Sequence, residues 1–385
     1  MIWNLESGIW NKQIFSLYIH IPFCRRLCPY CHFYRVPEIP PWESYLEAVR
    51  KEIEALDADD LGAVHTLYAG GGTPTLLPPE FYAGVVGFVR DRFDLSGLME
   101  LSIETDGDGT PEFLSGYARA GFDRVSVGVK SFDPRIRKIL GAGERLIRDP
   151  VAAARSAGFA SVGVDLIYGI EGQSLEDLLD DLDRTVSLDP DHISLYALEQ
   201  GGEEQGPGRR AQGGKLEGCE PDLAAAMFRE SARMLRAAGF RQYEITNFSR
   251  PGHRSLHNMV YWRDGDFIGL GPSAHSCVTR NGVRTRWRNL PDINAYLKDP
   301  VSCREELSRE GGLDRAREAL IMALRMTEGV NRDAFRLRYG SDPLELLKPH
   351  LAELMEFGLV RFSANRVRLT MRGMLLSNEV FVRIL

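Results

Sequence analysis

Three cysteines share one short run, Cys24-Arg25-Arg26-Leu27-Cys28-Pro29-Tyr30-Cys31. The apolar, β-like stretch Ser16-Leu-Tyr-Ile-His-Ile-Pro22 precedes them, so the thiols occupy a loop at the carboxyl end of a strand. Spaced C-x3-C-x2-C, three thiolates hold three corners of an iron–sulfur cube and leave one iron open to a substrate or cosubstrate. Two simpler chemistries compete. His32 would supply a fourth zinc ligand, but ligands as close as Cys31 and His32 rarely close a tetrahedron around one ion. A redox Cys-x-x-Cys pair would leave the third cysteine surplus. The pattern favours the cube.

Elements able to position such a loop recur along the chain. β-Branched, apolar runs stand at 16–22, 65–72, 100–106, 124–130, 161–170 and 192–200, with helix-like stretches at 42–56, 79–93, 111–120 and 174–187 between them. Strands alternating with helices predict right-handed β-α-β units and a parallel sheet, an α/β fold. Six units suit an incomplete (β/α)6 barrel, whose chemistry gathers at the carboxyl ends of its strands. The cysteines, the run Gly70-Gly71-Gly72-Thr73-Pro74-Thr75, and Glu104 fall at such ends, and Asp165 lies on the fifth strand. The charged, glycine-rich stretch 201–220 reads as a mobile surface loop. A helix over 222–238 and a strand over 242–248 follow. From about 311 the pattern turns helical (313–326, 331–339, 346–357) and closes with a hairpin around Asn365, which resembles a winged-helix module. The expected division is 1–250 for the barrel, 251–310 for a connecting segment and 311–385 for the helical domain.

At 385 residues the chain is long enough for both parts. Its 47 basic against 54 acidic residues, a formal charge of −7, give no electrostatic case for nucleic acid. No apolar run approaches the ~18 residues of a membrane span, and the start lacks the basic-then-apolar order of a signal peptide. Six cysteines, three of them clustered, fit a reducing cytoplasm, where the protein is expected. Cys219, Cys277 and Cys303 read as ordinary residues.

The motifs Tyr18-Ile-His-Ile-Pro-Phe-Cys24, Gly70 to Thr75, Arg124-Val-Ser-Val-Gly128 and Asp165-Leu-Ile-Tyr-Gly169 resemble the oxygen-independent coproporphyrinogen III oxidase family of radical S-adenosylmethionine (SAM) proteins. So do Tyr243-Glu-Ile245, His257-Asn-x-x-Tyr-Trp262 and Gly269-Leu-Gly-Pro-Ser-Ala-His275. The resemblance spans nearly the whole chain. It implies a 4Fe-4S cluster on Cys24, Cys28 and Cys31, with SAM chelating the fourth iron. The reduced cluster would cleave SAM to methionine and a 5′-deoxyadenosyl radical. The resemblance also places Tyr18, Tyr30, Phe33, Gly71, Gly72, Thr73, Glu104, Lys130, Asp165 and His257 at bound cofactors. Tyr30 would lie against the adenine, the glycine loop would admit the methionine end of SAM, Glu104 would meet its amino group, and Asp165 would lie near the ribose. A reductant such as flavodoxin or ferredoxin is implied, and His257 is the candidate heme ligand. His20, inside a strand, is expected to be packed and satisfied.

Three positions depart from the family's usual pattern. Phe33 stands where true oxidases carry a fourth cysteine, and His32 replaces the aspartate usual in chaperone-type relatives. Lys130 replaces a glutamine, and Ala142 an arginine, at positions that contact SAM in the family. Lys130 would then bring its cation to the SAM carboxylate. The resemblance lies nearest the three-cysteine, heme-chaperone branch. A methyltransferase or cyclopropanase using two SAM molecules on a small-molecule or peptide substrate is the alternative, and a true oxidase, disfavoured by Phe33, the second.

Overall fold

The computed structural model describes residues 14–143, 146–198, 216–363 and 365–385. Six parallel strands carry the fold: β1 (Ile14–Ile21), β2 (Ala63–Gly71), β3 (Glu100–Asp106), β4 (Arg124–Lys130), β5 (Ser161–Tyr168) and β6 (His192–Ala197). They match the six expected runs. Their alternation explains their two faces. On β1, Phe15, Leu17, Ile19 and Ile21 are almost fully buried, and they join the core that includes Tyr45 and Phe81 of the surrounding helices. The intervening residues, Ser16, Tyr18 and His20, are polar, and so are their counterparts Thr66 and Tyr68 on β2 and Glu104 on β3. Hydrogen bonds between neighbouring strands connect this second set: Thr66 to Ser16, Tyr68 to Glu104, and Ser126 to Asp165. One face is thus an apolar seam, and the other is a polar lining.

The sheet extends beyond the six strands. The stretch 251–310, expected to be a connecting segment, adds β9 (Asp266–Leu270), β10 (His275–Arg280), β11 (Val283–Asn289) and β12 (Arg304–Glu310). β9 pairs in parallel with β1, and the other three continue antiparallel outward. The expected strand 242–248 divides into β7 (Arg241–Gln242) and β8 (Asn247–Ser249), a small hairpin. Glu244 causes the break: its carboxylate accepts from the Thr246 amide and hydroxyl at 3.0 and 2.7 Å, closing a turn. Among the described residues the full order is β12-β11-β10-β9-β1-β2-β3-β4-β5-β6-β8-β7, an open sheet whose ends do not pair.

The C-terminal region has its own core, with Leu320, Phe335, Leu354 and Val367 among its buried residues. Its expected helix over 346–357 is two helices, Pro343–Leu347 and Leu351–Glu356; Pro349, which has no N–H to donate, lies between them. A three-stranded sheet, β13 (Val330–Asn331), β14 (Val360–Ser363) and β15 (Arg366–Leu369), completes it. Most of the expected loop 201–220 lies outside the described residues. Among the described residues no helix is long and apolar enough to cross a membrane.

Candidate functional site

The cysteine loop leaves β1 and is fixed at both ends by backbone. The Cys24 amide donates to the Val36 carbonyl at 3.1 Å, and the Val36 amide donates to Pro22 at 2.7 Å. Within the loop the Cys31 amide donates to the Cys28 carbonyl at 3.2 Å. Arg35 then ties the curve together: its guanidinium donates to Cys28 O at 2.6 Å and also to Cys31 O. All three cysteines are free thiols. Burial, with the two neighbouring cysteines adding to it, pushes the Cys24 thiol up to about 12, and burial also raises Cys31. Clustered thiols that resist losing protons to water are those a cationic iron core would ionise. Among the described residues no three His, Cys, Asp or Glu side chains converge as a single-ion site requires. A cube takes its thiolates at separate corners, so its demand is different.

Beside this loop, β2 ends in glycines that no other residue could replace without movement. A Cβ on Gly72 would lie 2.5 Å from Phe23 O, 2.8 Å from Ile21 O and 2.9 Å from the Cys24 sulfur. Gly71 has φ +108° and backs directly onto the His20 ring. His20 is packed, as read from the sequence: Nε2 donates to Tyr34 O at 2.9 Å and Nδ1 accepts from Tyr18 OH at 3.1 Å. Burial lowers its pKa to about 4, so it is neutral. Glu104 reaches across from β3, accepting from Tyr68 OH at 2.7 Å and from the Gly71 amide at 3.2 Å. Burial, reinforced by the nearby Asp165 carboxylate, pushes it up to about 7.

At the end of β4, Lys130 holds a left-handed φ of +69°, uncommon for a residue with a Cβ. Its Nζ sits 3.0 Å from Asp106 Oδ1 and 3.4 Å from Gly128 O. Burial opposes the ammonium, but the Asp106 carboxylate outweighs it, and the pKa rises. Thr73 Oγ1 donates to the other Asp106 oxygen at 3.5 Å. Asp165 accepts from Ser126 Oγ at 2.8 Å and is raised by burial. Tyr30 packs on the apolar group that contains Ala142, Ile136 and Ile167. Phe33 is 60% exposed and stands 6.3 Å, ring to ring, from His20.

His257, the candidate heme ligand, sits deep in the fold. It lies in the helix Leu256–Trp262 and is 1% exposed. Nδ1 is 2.7 Å from Thr66 Oγ1, and Nε2 is 2.7 Å from Tyr261 OH. Thr66 donates its own proton to Ser16, so Nδ1–H donates to Thr66 and Nε2 accepts from Tyr261. Both ring nitrogens are engaged, and burial lowers the pKa to about 3. The ring stacks on Tyr68 at 5.0 Å, and Glu100 caps the helix by accepting from the amides of Leu256 and His257. The His-Asn-x-x-Tyr-Trp run holds a helix against the inner face of the sheet, with the Nε2 lone pair of His257 accepting from Tyr261. Arg35, Tyr68 and Asp106 went unnoticed in the sequence. Each is an ordinary residue type outside any spacing pattern, and only the folded neighbourhood gives it a role.

The radical SAM superfamily profile matches residues 18–185, and the HemN C-terminal domain profile matches residues 312–376. The chain is 36% identical to the heme chaperone HemW of Mycobacterium tuberculosis, covering 96% of this chain and 94% of that protein. It is 31% identical to the heme chaperone HemW of Bacillus subtilis, covering 95% and 98%. Among solved structures it resembles the coproporphyrinogen III oxidase HemN of Escherichia coli, a radical SAM enzyme, with a TM-score of 0.78. That match covers 99% of this chain and 92% of that one at 23% identity, a likeness of fold.

Proposed function

This chain belongs to the HemN/HemW-like family of radical SAM proteins, and on that premise we propose that it is a heme-handling protein of the chaperone branch. The observation that carries the proposal is the end-to-end similarity to proteins named heme chaperones, at 36% identity. The alternatives are a methyltransferase or cyclopropanase and a true oxidase. Phe33 at the position of the oxidases' fourth cysteine speaks against the last.

The family implies a 4Fe-4S cluster and SAM, and the residues fit both. Cys24, Cys28 and Cys31 would hold the cube, supported by the Arg35 clamp and by the space that Gly72 leaves beside the Cys24 sulfur. The cofactor pair supplies reductive cleavage of the sulfonium bond. The chain's own residues do the rest. Gly71 and Gly72 present backbone without side-chain obstruction. Glu104, held by Tyr68, offers a carboxyl to the amino group of SAM. Lys130 has three N–H donors, and Asp106 and Gly128 take two; the third serves the SAM carboxylate. A small electron carrier such as flavodoxin or ferredoxin would supply the electron, and the free thiols suit the cytoplasm.

The test is anaerobic reconstitution followed by separate measurement of heme uptake, 5′-deoxyadenosine and S-adenosylhomocysteine. Heme bound in stoichiometric amount without S-adenosylhomocysteine is expected. S-adenosylhomocysteine formed alongside deoxyadenosine, with no heme uptake, would overturn the proposal in favour of methyl transfer.

A further inference from the structure

Lys130 owes its aim to the way β4 ends. The strand pairs with β5 in step as far as Val127, opposite Val164, and resumes with Lys130 opposite Leu166, so one extra residue bulges out of β4. Among the described residues five non-glycine residues have a positive φ, and Lys130 alone of them carries a long side chain. The bulge and the left-handed backbone turn that side chain back along its own strand. Nζ comes to rest 3.4 Å from Gly128 O, in the space a Cβ on Gly128 would crowd at 3.4 Å. Asp106 is the β3 residue opposite Gly128, and its Oδ1 meets Nζ at 3.0 Å.

The ion pair by itself does not explain this geometry. The Asp106 side chain is 49% exposed and that of Lys130 18%. A pair open to solvent on one side contributes little, less than a left-handed residue with a Cβ costs. Strain of that kind persists at ligand clamps. The surroundings point the same way. Burial opposes the ammonium, and Asp106 together with Cys28 of the cluster loop favours it. Glu104 and Asp165, both raised by burial, lie close enough for the Lys130 charge to oppose that rise. Arg137, a neighbouring cation, gives its N–H groups to the carbonyls of Val129, Ser131 and Gly143. Lys130 thus brings its charge in among three carboxyls at the strand ends, beside the cluster loop.

We propose that Asp106 is a positioning residue for the cosubstrate: it holds Lys130 at the ends of β3 and β4 so that the remaining N–H of the ammonium faces the carboxylate of SAM. The inference rests on the assignment of Lys130 to that carboxylate and extends it to the protein's choice of a carboxylate-bearing sulfonium. Charge alone predicts the opposite effect. The Asp106 carboxylate repels that of SAM, so removing its charge would tighten binding; releasing Lys130 weakens it.

Equilibrium titrations of the anaerobic protein carrying its cluster compare SAM with decarboxylated SAM, which keeps the sulfonium and the amino group. The wild type is expected to bind SAM about tenfold or more tightly than the decarboxylated compound, as a hydrogen bond between charged groups allows. Lys130→Ala and Asp106→Asn should each abolish most of that preference by weakening SAM, and the double variant should do no worse than Lys130→Ala, since the two residues act as one unit. The affinity of Asp106→Asn for decarboxylated SAM should stay within about threefold of the wild type's, which reports an intact site. Asp108→Asn makes the same charge change two residues on, where the carboxylate faces the exposed Arg25 at 3.7 Å, and should keep the preference. Asp106→Asn that binds SAM as tightly as the wild type or more so, that loses both ligands equally, or that behaves as Asp108→Asn does, overturns the positioning role and leaves Lys130 in place. A preference retained in Lys130→Ala, or absent from the wild type, removes the assignment of Lys130 and this inference with it.

Discussion

Glu104 joins the glycine loop to the third strand, and its protonation should be visible in stability. Its pKa moves from the ordinary 4.5 to about 7, chiefly through burial. A carboxyl raised in the folded state keeps its proton where the unfolded chain has lost it. Folding therefore benefits fully below about pH 4.5, and the benefit drains away as pH rises toward 7. At about 1.4 kcal/mol per unit, the full shift corresponds to ~3 kcal/mol. The side chain is only partly shielded along the sheet's inner face, so screening by solvent reduces this to about 1–2 kcal/mol. Glu104→Gln keeps the shape and cannot titrate. Thermal unfolding of the cluster-free protein, recorded anaerobically at pH 5 and pH 8, gives the comparison. The wild type should lose a few degrees more than Glu104→Gln between the two pH values, about 2–4 °C per kcal/mol or less for a chain this long. Glu52, buried against Tyr296 and also raised to about 7, is common to both proteins and cancels. An identical pH response in the two proteins would refute the reasoning.

Four further outcomes are expected. Gly72→Ala drives a methyl into Phe23 O, Ile21 O and the Cys24 sulfur; it should cost about 1–3 kcal/mol and lower the iron and sulfide retained after reconstitution. Arg35→Ala frees the Cys28 and Cys31 carbonyls, so its cluster should bleach faster in a chelator than the wild type's, with Arg35→Lys intermediate. Lys130→Ala should weaken SAM binding several-fold in equilibrium titration; unchanged affinity would remove Lys130 from the cosubstrate site. Asp264 is 5% exposed and faces Arg284 at 2.9 Å, Arg315 at 3.2 Å and Arg338 at 3.5 Å, and accepts from Tyr339 OH at 2.9 Å. Asp264→Asn should cost about 3–5 kcal/mol, read as early proteolysis of the helices that carry Arg315 and Arg338.

The elements that read best were those whose pattern is local. The six parallel strands announced themselves because alternating apolar residues face a helical layer at every turn of the β-α repeat. The strands β9 to β12 did not. Val283-Arg-Thr-Arg-Trp-Arg-Asn289 and Arg304 to Glu310 are rich in charge, and they belong to the sheet because Arg286 and Arg288 find Glu310, Glu318 and Glu305 around them. Opposite charges that meet across strands far apart in sequence carry no short-range signature.

The same division runs through the site. Sequence alone determined the cysteine spacing, the glycine run beside it and the family, because thiol count and the absence of a Cβ are properties of residues themselves. Tertiary structure decided what the other groups do. His257 bonds to Thr66, 191 residues away, and to Tyr261. Lys130 is turned by a left-handed backbone onto Asp106. Arg35, one more arginine in the chain, becomes the clamp of the cysteine loop. A side chain's type sets which bonds it is able to make; which bonds it does make depends on the atoms that folding brings within about 3 Å of it.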